Sequence, residues 1–455
     1  VMSNTLMISV SGMRGIVGSD LTPELVARHA AALGAWAKAA GKPVVVLGRD
    51  ARTSGEMFSH AAIAGLLSVG VEVIDVGIAP TPTVQMAVEH HHAGGGLIIT
   101  ASHNPIAWNA LKFVGPDGVF LNEAAGAVVR ALAESGPPRG GWDGLGTVRR
   151  DPDAVDRHLD AILELPQIDV DQIRKAGFRV ALDCVRGAGG TTMPRLFERL
   201  GCHLEAIHLE VDGLFPREPE PIPEHLGELS ELVRRTGADI GFAVDPDVDR
   251  LAVVDETGVP IGEDYTLALA VRAVLHRQPK GAPPATVVAN LSTSRVVEDA
   301  ALADGARFLR APVGEANVAK LILEAQALIG GEGNGGVILP ALHVGRDAPL
   351  GVALILQYLA DTGKSVSQIV ASAPRYRIVK DKVPRGADLT VIYAALRDRF
   401  PEATADDRDG LRLAWPDRWV HVRPSGTEPI IRFIAEAPDD GAARGLLDAC
   451  RAALP

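Results

Sequence analysis

Four short stretches of the chain carry residue types that chemistry can use. Ser102 stands in Thr100-Ala101-Ser102-His103-Asn104-Pro105, directly after the apolar run Leu97-Ile98-Ile99. Such a run reads as a buried strand, and Pro105 closes the turn behind it. The serine hydroxyl therefore sits on a loop past a strand's carboxyl end, where open α/β sheets place their ligands. Thr100, His103 and Asn104 are its polar neighbours. A lone serine in this setting is ordinarily a turn residue; a serine that carries a phosphoryl group also needs carboxylates, a polar loop and an anion cradle nearby.

The chain supplies each of these. Asp245-Pro246-Asp247-Val248-Asp249-Arg250 lies between apolar strand-like runs at 240–244 and 251–254. Carboxylates at i, i+2 and i+4 in a tight loop converge on one hard cation through oxygen. A solvated acidic turn is the plainer alternative, but like charges stacked without a cation cost stability. Glu256 fits the last place of a calcium-binding EF-hand count, yet Arg250 occupies the place where that loop needs Gly, and the flanks read as strands. An octahedral ion that leaves room for a phosphate oxygen points to Mg²⁺, with Arg250 balancing charge or binding phosphate. Gly330-Gly331-Glu332-Gly333-Asn334-Gly335-Gly336 lacks the Lys and Ser/Thr of a nucleotide P-loop. Its acceptors Glu332 and Asn334 suit sugar hydroxyls, a flexible turn being the alternative. In Arg423-Pro424-Ser425-Gly426-Thr427-Glu428 the backbone N–H groups can form an anion nest, and Arg423 can take a phosphate in bidentate fashion; a capped turn is the alternative.

The elements that position these loops alternate strand and helix. Thr22 caps a helix that Pro23 opens, with apolar periodicity through Trp36. Strands are expected at 44–50, 71–76, 178–183, 204–209, 240–244, 286–291 and 307–311, separated by helices. That pattern argues for βαβ units and mostly parallel sheets. A stretch at 135–146 rich in Gly and Pro marks the first boundary, and the segment from about 374, with strands at 420–422 and 430–435 and a closing helix, reads as a small α+β domain.

The totals exclude several functions. The chain has 455 residues, enough for several domains that each bury a core. A net charge of −12 argues against a nucleic-acid or anionic-membrane partner. No apolar run is long enough for a membrane span. Cys184, Cys202 and Cys450 are too scattered for a disulfide framework or zinc knuckle. With no signal peptide at the start, the expected location is the cytoplasm.

Taken together, the four loops resemble those of the α-D-phosphohexomutase superfamily, in the same order and over nearly the whole chain. The resemblance implies three similar mixed α/β domains plus a smaller α+β domain around a central cleft, expected at 1–145, 146–258, 259–372 and 373–455. It implies that Ser102 carries the phosphoryl group and binds Mg²⁺ with Asp245, Asp247 and Asp249. Lys112 is similar to the family's proton-handling lysine, Arg14 and His103 line the same site beside Arg250, Glu332 and Asn334 meet the sugar, and Arg423, Ser425, Gly426 and Thr427 hold its phosphate. A sugar bisphosphate is the implied intermediate and activator, a hexose phosphate the substrate, and a monomer or homodimer the assembly.

Three departures stand out. The family's sugar loop usually reads Glu-x-Ser-Gly-His, whereas Asn334 and Gly336 replace the serine and histidine here. His343 is the candidate substitute for the missing acid/base. Pro246 stands where Gly is commoner, and Trp108-Asn109-Ala110 replaces a Tyr-Asn-Gly-like run. The variant set resembles a branch labelled phosphoglucosamine mutase. The expected reaction is thus interconversion of glucosamine 6-phosphate and glucosamine 1-phosphate, with the same chemistry on glucose or mannose phosphates as the alternative. A phosphosugar-binding protein without catalysis and a phosphatase are the remoter readings.

Overall fold

The computed structural model describes residues 6–9, 12–384, 386, 388–425 and 430–452. The chain folds into four successive sheets. The first holds, in spatial order, Met7–Ser9, Gly12–Ile16, Trp108–Val114, Gly95–Ile99, Val44–Arg49, Glu72–Ile78 and Val148–Arg150. Its centre is parallel, with Val44–Arg49 between Glu72–Ile78 and Gly95–Ile99, and helices Pro23–Ala39, Gly55–Leu67 and Thr81–His90 make the connections. The first helix starts where capping chemistry places it: Thr22 Oγ1 accepts the Leu25 amide at 3.4 Å, with Pro23 in the first turn.

One boundary differs from expectation. Val148–Arg150, past the break at 145, pairs in parallel with Val73, Ile74 and Asp75 and so extends the first sheet. All of its residues are exposed. With no apolar alternation, this edge strand has no sequence signature; its pairing rests on the backbone ladder and the Arg149–Glu72 ion pair at 2.6 Å.

The second and third sheets share one plan. Arg179–Asp183 pairs in parallel with His203–Ile207 and Ile240–Val244, and the latter turns back as an antiparallel hairpin into Leu251–Val254. Thr286–Asn290 likewise pairs in parallel with Arg307–Ala311 and Ile329–Glu332, and the latter turns back into Gly336–Ile338. Within the first sheet Gly95–Ile99 turns back into Trp108–Val114 in the same way. The fourth sheet is antiparallel throughout, and its strands Trp419–Pro424 and Ile430–Ala437 flank the fourth loop. All four chemistry-bearing loops are thus connections between antiparallel neighbours, and in the first three a buried parallel strand delivers the chain into the loop.

Packing divides the molecule unevenly. One continuous apolar cluster runs from Val46 and Ile98 of the first sheet through Leu182 and Phe242 of the second to Val287 of the third and Leu354 of helix Ala348–Thr362. The fourth domain has its own core around Val420, Phe433 and Leu447. Polar contacts join it to the third: Glu436 Oε1 accepts the Arg295 amide (2.9 Å), Arg412 Nε donates to Leu291 O (3.0 Å) and Asp409 Oδ2 accepts the Val313 amide (2.9 Å). Among the described residues no helix is long and apolar enough to cross a membrane.

Candidate active site

The serine loop is held by its backbone. Ser102 adopts φ +48°, a conformation a non-glycine residue keeps only when its surroundings impose it. Its amide donates to Thr100 Oγ1 (2.9 Å), and that hydroxyl donates to Asp50 Oδ2 (2.6 Å). Arg52, 1% exposed, completes the frame. Its Nε pairs with Asp50 (3.1 Å), and its terminal nitrogens donate to four carbonyls: Ser102 and Asn104 (2.7 Å each), Pro105 (2.8 Å) and Trp108 (2.9 Å). One buried guanidinium therefore fixes the whole turn. Sequence reasoning passed over Arg52, because nothing in Asp50-Ala51-Arg52 announces a partner some fifty positions away.

The metal loop meets that serine directly. Ser102 Oγ donates to Asp245 Oδ2 at 2.7 Å across 143 positions of sequence. Val248, between two of the aspartates, has φ +62°, a genuine outlier for a β-branched residue. The turn it forces points Asp245, Asp247 and Asp249 at one another, with ligand oxygens all within 4.8 Å. Asp247 Oδ1 and Asp249 Oδ1 are buried without a hydrogen-bond partner. Orphaned hard oxygens beside a hydroxyl are the donor set that Mg²⁺ takes, so these residues fit that ion.

Electrostatics follow from this crowding. Burial, then the neighbouring Asp247 and Asp249 carboxylates, push Asp245 well above the ordinary carboxylate range. Burial opposes ionisation of Asp247 as well, but the Lys112 ammonium at 2.7 Å and the Thr81 hydroxyl at 2.8 Å bring its pKa below the usual value. For Lys112 burial pulls downward, yet Asp247 and Asp249 raise it on balance and keep it protonated. His103, whose Nδ1 lies 3.4 Å from Ser102 Oγ, is driven well below its ordinary value by burial and then by Arg250 and Arg14. It stands by the serine as a neutral imidazole.

These groups open on a cavity of about 240 Å³ lined by Arg14, Ser102, His103, Lys112, Arg250, Glu315 and Arg346 among others. Arg14 Nη1 donates to Asn104 Oδ1 (2.8 Å) and Arg250 Nη1 to Glu220 Oε1 (3.1 Å). Glu315 and Arg346 are absent from the sequence reading. Arg346, 8% exposed, reaches Asp249 Oδ2 with Nη2 (2.6 Å) and Glu332 Oε2 with Nη1 (3.0 Å), and its Nε lies 3.0 Å from Glu315 Oε2. It thus ties the metal loop to the sugar loop.

The remaining expected residues stand farther back. Glu332 is buried behind Arg346, its Oε1 accepting from Asn290 Nδ2 (2.8 Å) and the Gly314 amide (3.2 Å). Asn334 Oδ1 accepts the Gly336 amide within its own turn. Neither lines the cavity. Arg423 pairs with Asp409 (3.1 Å), and the Ser425 amide donates to Ile430 O (2.9 Å); Gly426 and Thr427 lie outside the described residues. His343 is 3% exposed and shares Asp347 Oδ2 with His158, at 3.0 and 2.7 Å. It holds the start of helix Ala348–Thr362, does not line the cavity, and so does not replace the missing histidine.

A serine facing three aspartates across a domain boundary, with cations around the opening, is a constellation suited to metal-assisted phosphoryl transfer. The comparisons with known proteins agree. Residues 6–138, 156–258 and 262–376 match the phosphoglucomutase/phosphomannomutase alpha/beta/alpha domains I, II and III, and 378–453 match the C-terminal domain of that family. The chain is 40% identical to a phosphoglucomutase/phosphomannomutase of Thermococcus kodakarensis, over 96% of each. It is 36% identical to a protein of Methanopyrus kandleri named "probable phosphoglucosamine mutase", over 96% of this chain and 95% of that one. A phosphoglucomutase/phosphomannomutase family structure from Burkholderia thailandensis superposes with a TM-score of 0.86 at 27% identity, covering 100% of this chain and 98% of that one. The chain belongs to the phosphoglucomutase/phosphomannomutase family, within the α-D-phosphohexomutase superfamily.

Proposed function

We propose that the protein interconverts a hexose 6-phosphate and its 1-phosphate through a phosphorylated Ser102 and a bisphosphorylated sugar. The observation that carries this reading is the 2.7 Å contact between Ser102 Oγ and Asp245 beside two orphaned carboxylate oxygens. Asp245, Asp247, Asp249 and the serine would hold Mg²⁺, whose charge offsets that of the phosphoryl group. A sugar hydroxyl attacks the phosphorus on Ser102, and the bond from phosphorus to Oγ breaks with its electrons on Oγ. The Lys112 ammonium gives Oγ a proton. Glu315, which lines the cavity and whose pKa burial raises, takes the proton of the hydroxyl. After the bisphosphate turns around, both transfers reverse: Oγ attacks the other phosphate, Lys112 regains its proton and Glu315 protonates the departing sugar oxygen. Arg14, Arg250 and the neutral His103 surround the transferring group, and Arg423 with Ser425, Gly426 and Thr427 anchors the distal phosphate.

For the sugar, the relatives carry both names, so the site must decide. Sequence alone leans to glucosamine through Glu332. Both Glu332 oxygens are already engaged, one by the Arg346 guanidinium, which supports a sugar with an uncharged hydroxyl at C2, glucose or mannose. Glucosamine phosphate is the second reading, because a single guanidinium facing Glu315 and Glu332 leaves that wall net negative. Coupled assays with glucose, mannose and glucosamine 6-phosphates and a bisphosphate activator test both. Formation of the 1-phosphate without steady phosphate release is expected; phosphate release without isomer formation would make the protein a phosphatase, and binding without turnover a phosphosugar-binding protein.

A further inference from the structure

A second cavity, about 770 Å³, opens between the third and fourth domains and shares no lining residue with the catalytic one. Guanidinium groups dominate it: Arg295 and Arg310 from the third domain, Arg408 and Arg412 from the fourth. Phe308 and Trp415 give it aromatic walls.

The charges do not close. Arg310 pairs with Glu298 (2.9 Å) and Arg408 with Asp406 (3.0 Å), while Glu402 accepts the Trp415 indole N–H (2.9 Å). The acids on the walls are thereby used. Arg412 is 6% exposed. Its Nε donates to Leu291 O, its guanidinium lies 5.1 Å from the Trp419 ring centre, and among the described residues no carboxylate pairs with it. Arg295 Nε is buried without a hydrogen-bond partner; burial lowers its pKa, but Tyr376, Glu298 and Asp299 raise it on balance. Burial and then Arg310 push Arg412 down to about 9, against the pull of Glu298 and Glu436. A guanidinium stays protonated at neutral pH, so an unpaired one beside another cation is stabilised when an anion arrives.

We propose that this cleft binds a phosphate-bearing small molecule, with Arg412 and Arg295 on the phosphate and the organic part between Trp415 and Phe308. Guanidinium donors on opposite walls suit a tetrahedral oxyanion, and the volume, about 770 Å³, exceeds what a bare phosphate fills. Because the walls belong to different domains, the bound molecule ties the fourth domain to the third.

Isothermal titration of the full-length protein with inorganic pyrophosphate, and in parallel with adenosine diphosphate, tests the assignment. Arg412→Gln is expected to weaken binding by about tenfold or more, the loss of a charge-assisted hydrogen bond. Arg423→Gln, in the loop assigned to the substrate phosphate, should leave it unchanged. Tighter binding of the nucleotide than of pyrophosphate identifies a phosphate ester as the occupant; the reverse order removes the organic part of the proposal. Should Arg412→Gln fail to fold, Arg295→Gln gives the same reading from the other wall. Binding that survives both substitutions, or that Arg423→Gln abolishes, overturns the proposal.

Discussion

Gly336 lies beneath the side chain of Arg346: a Cβ at that glycine would stand 2.8 Å from Arg346 Cγ and nearer still to Cδ. A histidine, usual at this place in the family, would therefore clash with the arginine in the conformation found here. An absent side chain lets a guanidinium cross from the sugar loop to the metal loop.

Gly336→Ala should therefore destabilise the protein by about 1–3 kcal/mol through overpacking. In an Arg346→Ala background the same change should cost far less, because the obstructing methylenes are gone. Denaturant unfolding of the four proteins of this cycle gives the coupling. Equal costs in both backgrounds would mean that the two side chains do not compete for one space.

Arg346→Met keeps bulk but frees the Glu332 carboxylate. The ratio of dissociation constants for glucose 6-phosphate and glucosamine 6-phosphate should shift toward the amine by about tenfold, the size of one charged hydrogen bond. A loss of affinity shared equally by both sugars would show that Arg346 has no part in selection.

Arg52 frames the serine loop, with its guanidinium 5.0 Å from the Phe215 ring centre. Arg52→Ala strands four carbonyls and leaves Asp50 without its ion pair, a loss of about 3–5 kcal/mol. Unfolding in denaturant should show it, and exchange of the Ser102 amide should accelerate. Wild-type protection at that amide would mean that the turn holds itself.

What was legible beforehand was local chemistry. The runs at 240–244 and 251–254 and the Thr22 cap appear where apolar pattern and capping place them, and the serine and aspartates were marked by type and spacing. Contacts that depend on tertiary approach left no such trace. Arg346 and Glu315 gain meaning only when the third domain presses them toward Asp249. His343 stands out in the sequence as a substitute for the missing histidine, yet its partner is Asp347, four residues on. Helix Ala348–Thr362, buried around most of its circumference, lacks the apolar stripe that reveals surface helices.

Asp264 makes stability depend on pH. Burial, with Glu436 and Glu263 nearby, raises its pKa from 3.8 to about 8, against the Ser294 amide bond that favours the charge. Between about pH 4 and about pH 8 the folded protein keeps a proton that the unfolded chain has released. This contribution is complete below the unfolded value and is lost as pH rises through the folded one, by at most about 1.4 kcal/mol per pH unit. Asp264→Asn keeps the acceptor for Ser294 and should flatten that slope, overtaking the wild type on the alkaline side. Parallel stability–pH curves for the two proteins would rule this out.

The most direct test of the catalytic account is intact-mass analysis with peptide mapping, before and after incubation with glucose 1,6-bisphosphate and Mg²⁺. A single phosphate adduct on the peptide that contains Ser102, absent from Ser102→Ala together with mutase activity, is the predicted result. Turnover by a protein whose Ser102 never carries phosphate would contradict it.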